Sequence, residues 1–321
     1  MKICVLGATG FMGSCLTKYF SCVEGIDLCA VSRTFRSSPL SHVGRMQWIR
    51  GDLISLDLCR EIVSHNDVII HLAHSSHPLV SDKDLPGDLM TNLLPSMNLL
   101  QAIRESHKTP HLIFASSAGA VYGDSCFGKT WNETDPCCPM SNYGIQKLMV
   151  EHYLRLWSER GYITSTVLRI ANAYGILLPP ERRQGLIGIA MKRILGGKPV
   201  RIFGKLDNIR DYIHINDVLE AVMLCIERRE PFEVFNIGSG IGYSVLEILQ
   251  EIEKVTCLEP VMEIDPLETG SSLIKSFVVN WEKAYRVLNW QPRISLEKGI
   301  SMMYQGWTMN REPTLLVTSS G

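Results

Sequence analysis

The sequence predicts an α/β fold: a parallel sheet flanked by helices, followed by a smaller C-terminal lobe of mixed α/β character. Two observations lead there. Short apolar runs succeed one another without the in–out alternation of a half-solvated sheet, and segments with helical spacing of apolar residues lie between them. Beyond residue 175 the runs shorten and mix with proline, glycine and charge, the pattern of a second, smaller unit.

Ile3 to Leu6 reads as the first strand, Gly7, Gly10 and Gly13 as a tight turn, and Cys15, Leu16, Tyr19 and Phe20 as one face of the helix that follows. Further strands read at Ile26 to Val31, Met46 to Ile49, Asp67 to Ala73, Pro110 to Ser117 and Ser165 to Ile170, with helical periodicity at Leu93 to Ile103 and Tyr143 to Arg155. After the loop Leu178 to Gly185 come a helix over Leu186 to Leu195 and short strands at Val200 to Phe203 and Phe235 to Ile237. An amphipathic helix spans Ser244 to Val255, and a last one opens at Ser295 to Ile300. The expected division is a dinucleotide-binding domain over 1–175, to which later segments can return, a substrate lobe over 176–314 and a loosely held tail over 315–321.

Composition excludes several classes of function. The 321 residues carry 32 basic and 33 acidic side chains, a formal charge of -1, so no basic field draws the chain to nucleic acid or an anionic membrane. No run reaches the roughly 18 apolar residues of a spanning helix. The opening MKICVLGATG turns to glycine too soon for a secretion signal, and a cytoplasmic location is expected. The 10 cysteines form no ligand-spaced pairs, and the four in the first thirty residues read as buried free thiols; Cys137 and Cys138 read as loop residues. His71, His74 and His77 recur at i, i+3, but the first falls in a buried strand and no cysteine joins them, so no metal is expected.

The glycine turn between first strand and first helix is the arrangement that brings backbone N–H groups to a pyrophosphate, with Thr9, Phe11 and Met12 between and beside the glycines. This is a Rossmann-type site. At the end of the second strand Ser32-Arg33 stands where an NAD site usually places an acid; a hydroxyl and a guanidinium, with Arg36 near, favour NADP(H), with NAD(H) the alternative. Asp52, followed by Leu53, ends the third strand facing the adenine edge.

Tyr143-x-x-x-Lys147 places a phenol and an ammonium one helical turn apart on one face. A nearby positive charge favours phenolate and lets the tyrosine exchange a proton with a carbinol or carbonyl, while the lysine can hold the nicotinamide ribose. Ser117, with Ser116 as its substitute, ends the fifth strand where a hydroxyl can bind the same oxygen.

With these pieces stand Ile70-His71-Leu72-Ala73, Ser116 to Gly123, Leu168-Arg169 through Asn172 to Gly175, Arg210 to His214 and Asn236 to Gly240. Together they resemble the extended short-chain dehydrogenase/reductase superfamily of nucleotide-sugar epimerases, dehydratases and ketoreductases, across nearly the full length. The resemblance implies a catalytic set of Ser117, Tyr143 and Lys147, and cofactor contacts from Leu72 and Ala73. It further implies Asn172 and Arg210 on the substrate's diphosphate, a guanidinium suiting phosphate geometry, and a homodimer through the helices at 93–103 and 143–155. Asp211 and His214 are expected to orient the loop that carries Arg210.

Dehydration is disfavoured, because Ser117-Ala118-Gly119 lacks the carboxylic acid of the dehydratases' Thr-Asp-Glu. The expected reaction is reduction of a nucleoside-diphosphate 4-keto-6-deoxyhexose at C4, from Ser32-Arg33 and from the likeness of Val5 to Phe11, Glu181 to Leu186 and Arg210-Asp211 to such reductases. NAD-dependent 4-epimerisation is the alternative. The segment Asp265 to Ser272 lacks the diphosphate-clamping arginine of typical epimerases, leaving Lys275 or an arginine of the 181–183 turn as a substitute.

Overall fold

A computed structural model describes residues 1–34, 45–75, 84–124, 128–179, 184–265 and 274–309. Arg36, His77, Cys126, Glu181 to Arg183, 266–272 and the tail 315–321 lie outside the described residues. In chain order the elements are β1 (Lys2–Leu6), α1 (Phe11–Ser21), β2 (Asp27–Ser32), β3 (Met46–Arg50), α2 (Leu56–His65), β4 (Val68–His71) and α3 (Leu85–Asp88). A π-helical turn (Leu89–Leu93) leads into α4 (Leu94–Glu105), then β5 (His111–Ser117), α5 (Ala118–Tyr122), α6 (Asn142–Glu159), β6 (Thr164–Ile170), β7 (Asn172–Tyr174), α7 (Leu186–Leu195) and β8 (Val200–Phe203). The remainder are β9 (Ile209–His214), α8 (Ile215–Arg228), β10 (Phe232–Ile237), β11 (Gly242–Ser244), α9 (Val245–Thr256), β12 (Met262–Asp265), β13 (Ser276–Phe277), α10 (Glu282–Leu288) and α11 (Leu296–Met309).

The large sheet has seven strands in the order β10-β6-β5-β4-β1-β2-β3, all parallel. Its strands read as unbroken apolar runs because successive side chains enter different cores. Ile3, Val5 and Leu28 pack with Leu16, Phe20, Val218, Val222 and Trp290 on one face, whereas Cys4, Leu6 and Ile69 pack with Ile62, Leu99, Ile103, Val150 and Leu154 on the other. This is the Rossmann-type sheet with both faces covered.

The smaller lobe grows out of the end of β6. The chain passes through Ala171 into β7, which pairs with β9, and β9 pairs with β11 and β13. A third core of Ile187, Met191, Ile202, Ile248, Ile252, Ile300 and Met303 joins α7, α9, α11 and β8. Two later segments return to the first unit: α8 covers one face of the large sheet, and β10 pairs along β6 at its edge.

Among the described residues no helix is long and apolar enough to cross a membrane, and no cluster of side chains could hold a metal ion. The nine described cysteines are free thiols. Of the four in the first thirty residues, Cys4 and Cys29 are buried as expected, but Cys15 is half-buried at the edge of the core and Cys22, which caps the C-terminus of α1, is exposed.

Candidate active site

The glycine turn is shaped by close packing. Gly7, at φ +84°, has a left-handed backbone, and its amide and that of Ala8 donate to Val31 O at 3.0 and 3.1 Å, drawing the turn onto β2. A Cβ at Gly13 would fall 2.2 Å from Gly7 O, so only glycine lets α1 start this near the end of β1. Gly10 occupies the N-cap with no capping side chain, which leaves the first amides of α1 without a side-chain acceptor. This cradle fits a pyrophosphate.

Gly7, Gly10, Phe11, Met12 and Gly13 form one end of a cavity of about 640 Å³, the size of a ligand site. Leu72, His74, Ser116, Ser117 and Tyr143 line its middle, and Asn172, Arg193, Arg201 and Arg210 the far side. Thr9, Ser32, Arg33, Asp52, Leu53, Ala73 and Lys147 do not line it. Thr9 and Ser32 join hydroxyls at 2.7 Å beside the glycine turn, Arg33 is exposed, and Asp52 Oδ1 accepts from Ile54 N at 3.1 Å. Leu53 is buried and its carbonyl accepts from Asn98 Nδ2 at 3.1 Å.

Strand β5 delivers the two serines and α6 the phenol and ammonium. Ser141 caps α6, its hydroxyl accepting from Gly144 N at 3.2 Å, so the helix starts just before Tyr143. Ser117 stands beside the Tyr143 phenol and acts to lower its pKa. Ser116 donates to Glu151 Oε1 at 2.5 Å. Lys147 is buried, donates to Ala115 O at 2.8 Å, and holds Nζ 5.7 Å from the Tyr143 ring centroid.

The electrostatics differ from the expectation of a ready phenolate. Burial pushes Tyr143 up to about 12, with Ser117 opposing it. Burial pulls Lys147 down to about 7, with Glu151 opposing it. Enclosure dominates both groups, and the ammonium's hydrogen bond goes to a backbone carbonyl rather than to the phenol.

Sequence reading passed over His74 as a site residue. Its ring meets that of Tyr143 edge-on at 4.7 Å between centroids, and it lines the cavity. Its spacing from His71 suggested only metal ligation; the contact joins residues 69 positions apart (143 − 74) and has no local signature.

On the far side, Asn172 Nδ2 donates to Asp211 O at 3.1 Å, and Arg210 donates to Ile209 O at 2.8 Å and to the carbonyls of Ile274 and Lys275. Asp211 is fully buried and accepts from Ser239 N and Oγ, both at 2.8 Å, from Gly240 N at 3.1 Å and from Val279 N at 3.3 Å. It ties β9 to the turn after β10. Burial still pushes Asp211 up to about 6 against those bonds. His214 Nδ1 accepts from Asn216 N at 3.2 Å and caps α8.

Residues 3–238 match the model of the NAD dependent epimerase/dehydratase family. The chain belongs to that family. As an epimerase/dehydratase-family protein it is an NAD-dependent oxidoreductase. It is similar to the dTDP-4-dehydro-6-deoxyglucose reductase of Escherichia coli, 32% identical over 246 residues and 76% of either chain. In structure it is similar to the UDP-glucose 4-epimerase of Thermus thermophilus in complex with NAD, with a TM-score of 0.86 and 26% identity over 96% of this chain and 99% of that one. It is similar, too, to MoeE5 in complex with UDP-glucose and NAD, with a TM-score of 0.85 and 29% identity over 97% and 99%.

These structures hold NAD, which overturns the NADP preference read from Ser32-Arg33. Ser32 serves as a strut for the glycine turn through Thr9, and Arg33 is exposed.

Proposed function

We propose that this protein is an NAD-dependent 4-epimerase of a nucleotide sugar, with a UDP-hexose as its substrate. The observation that carries the reading is a single cavity with a pyrophosphate cradle at one end, arginines at the other and the Ser117–Tyr143 pair between them. The near full-length likeness to NAD-bound structures that act on or hold UDP-glucose supports it.

In this reading the amides around Gly7, Gly10, Phe11, Met12 and Gly13 hold the cofactor pyrophosphate, with Thr9 and Ser32 bracing the turn. Asp52 and Leu53 flank the adenine, Leu72 and Ala73 back the cofactor, and Lys147 holds the ribose next to the nicotinamide. Asn172 and Arg210 contact the sugar nucleotide's diphosphate. NAD, when bound, supplies a reversible hydride acceptor and, in its oxidised form, a positive charge near the phenol. Tyr143 takes the proton of the C4 hydroxyl as the C4 hydride departs, while Ser117 hydrogen-bonds the same oxygen. The resulting 4-keto sugar turns in the cavity, and Tyr143 returns its proton to the oxygen as hydride re-enters at the opposite face.

The purified protein, given UDP-glucose or UDP-galactose with no added cofactor, is expected to interconvert them with no net change in nicotinamide absorbance. Consumption of reduced nicotinamide in step with a 4-keto-6-deoxy sugar nucleotide, without interconversion, would reject the epimerase. That outcome would establish 4-ketoreduction, the second reading, which the likeness to the E. coli reductase favours.

The same reading includes a homodimer. On α6 Ile145, Met149, Tyr153 and Leu156 are exposed along one side, and Met90 is exposed beside α4. Ile145→Glu with Tyr153→Glu is expected to convert a dimer to monomer in sedimentation velocity; an unchanged sedimentation coefficient would refute this interface. A cytoplasmic location accompanies the reading, since free thiols suit a reducing compartment.

A further inference from the structure

Three consecutive residues at the end of β5 meet successive turns of α6. Ala115 O accepts from Lys147 Nζ at 2.8 Å, Ser116 Oγ donates to Glu151 Oε1 at 2.5 Å, and Ser117 stands beside the Tyr143 phenol. Tyr143, Lys147 and Glu151 follow at intervals of four along one helix face. Glu151 is in turn gripped from β6, where Arg169 is the register partner of Ser116. Arg169 Nε and Nη2 donate to Glu151 Oε2 at 3.0 and 2.7 Å, and Nη1 donates to the Tyr122 hydroxyl at 2.9 Å. That hydroxyl donates to Asn236 Oδ1 on β10 at 2.8 Å. Glu151 and Arg169 are 3% and 6% exposed. A buried ion pair is commonly no more stable than well-packed apolar residues, so its presence directly behind the Ser117–Tyr143 pair calls for a role besides stability.

We infer that Glu151 is a positioning residue for the proton-transfer site: clamped between Ser116 and Arg169, it fixes the register of α6 against the end of β5 and sets its carboxylate one helical turn from Lys147. The inference rests on the epimerase reading for the role of Lys147, but not for its charge. The groups that face Lys147 are His71 from β4, Tyr143 and Glu151 from α6, and the Phe114 ring from β5, 4.6 Å from Nζ. Burial, helped by Lys147, holds His71 down at about 3, so it stays a neutral ring, its Nε2 within 2.9 Å of Ser96 Oγ. Tyr143 is held protonated. Arg169, bonded to Glu151 from β6, brings a positive charge to the same cluster, and Glu151 acts against the burial of the Lys147 ammonium.

The test is Glu151→Gln in the full-length protein as purified. Lys147 protonation is followed by the pH dependence of its ¹³Cε resonance, assigned by its loss in Lys147→Arg, and kcat and KM are measured across pH. Removing the carboxylate is expected to lower the Lys147 midpoint by about one pH unit or more. The alkaline limb of kcat should move down with it, giving about a tenfold loss at pH 8 that shrinks at pH 6, with KM little changed. Glu151→Asp, which keeps the charge, should restore the midpoint more than the hydrogen-bond register. A folded Glu151→Gln protein with an unmoved midpoint would overturn the inference. Should that variant not fold, the double variant Glu151→Gln/Arg169→Met, which leaves no charge unpaired, carries the same test, with a downward shift expected and no shift overturning it. The resonance needs no substrate, so a parent protein that titrates as expected yet does not turn over would count against the epimerase reading alone.

Discussion

Tyr143→Phe is expected to lower turnover by roughly 10²–10⁴ while the protein keeps its cofactor. The substitution removes one oxygen and leaves the ring, so the edge-on contact with His74 at 4.7 Å and the start of α6 at the Ser141 cap both survive. What disappears, in the proposed reading, is the group that gives and takes the C4 hydroxyl proton, and Ser117 is left with no acid or base to pass a proton to. Because Tyr143 does not shape the glycine cradle at the other end of the cavity, nicotinamide retained on purification should match the parent. The measurement is steady-state kcat beside the absorbance of retained cofactor. Turnover within a few-fold of the parent would remove Tyr143 from the chemistry.

Arg169→Met is expected to destabilise the fold by about 3–5 kcal/mol, because it strands the Glu151 carboxylate in a dry site with its main partner gone. Burial works to depress Arg169, yet the hydrogen bonds and charge of Glu151 outweigh it and hold the guanidinium above its ordinary range. The pair's side chains are only 7% and 4% exposed, so solvent screens little of their interaction. Adding Glu151→Gln to Arg169→Met should recover a large part of the loss, since the uncompensated charge is then removed as well. Urea unfolding of the two single variants and the double variant gives the comparison. Equal stability of Arg169→Met and the parent would show that the pair is not coupled as the geometry implies.

The strands of the large sheet were legible because both faces are covered, which makes runs such as Ile3 to Leu6 apolar at every position. Helices α7 and α9 were legible from their periodicity. Helices α2 and α10 were not: each buries few side chains, Cys59, Ile62 and Val63 in α2, Ala284 and Leu288 in α10. Helix α8 carries a usable signal in Val218, Leu219, Val222, Cys225 and Ile226, but its cap is a histidine, outside the usual start residues, and it follows a strand directly.

At the site, the glycine turn and Tyr143-x-x-x-Lys147 were legible because each is made by one local segment. The Glu151 clamp was not, since its partners come from β5 and β6, and the network continues into α5 and β10. Nor could residue type reveal that the Ser32 hydroxyl is engaged by Thr9.

The return of α8 and β10 to the large sheet has a consequence for how the molecule is made. A nascent chain emerging as far as β6 has one sheet face without its α8 cover and a bare edge along Arg169 and its neighbours. The ribosome must add everything through Ile237, lobe strands β7 to β9 included, before that edge is sealed. The large sheet and the smaller lobe are therefore stitched into one cooperative unit, slow to close and exposed while open, rather than two modules that mature in turn.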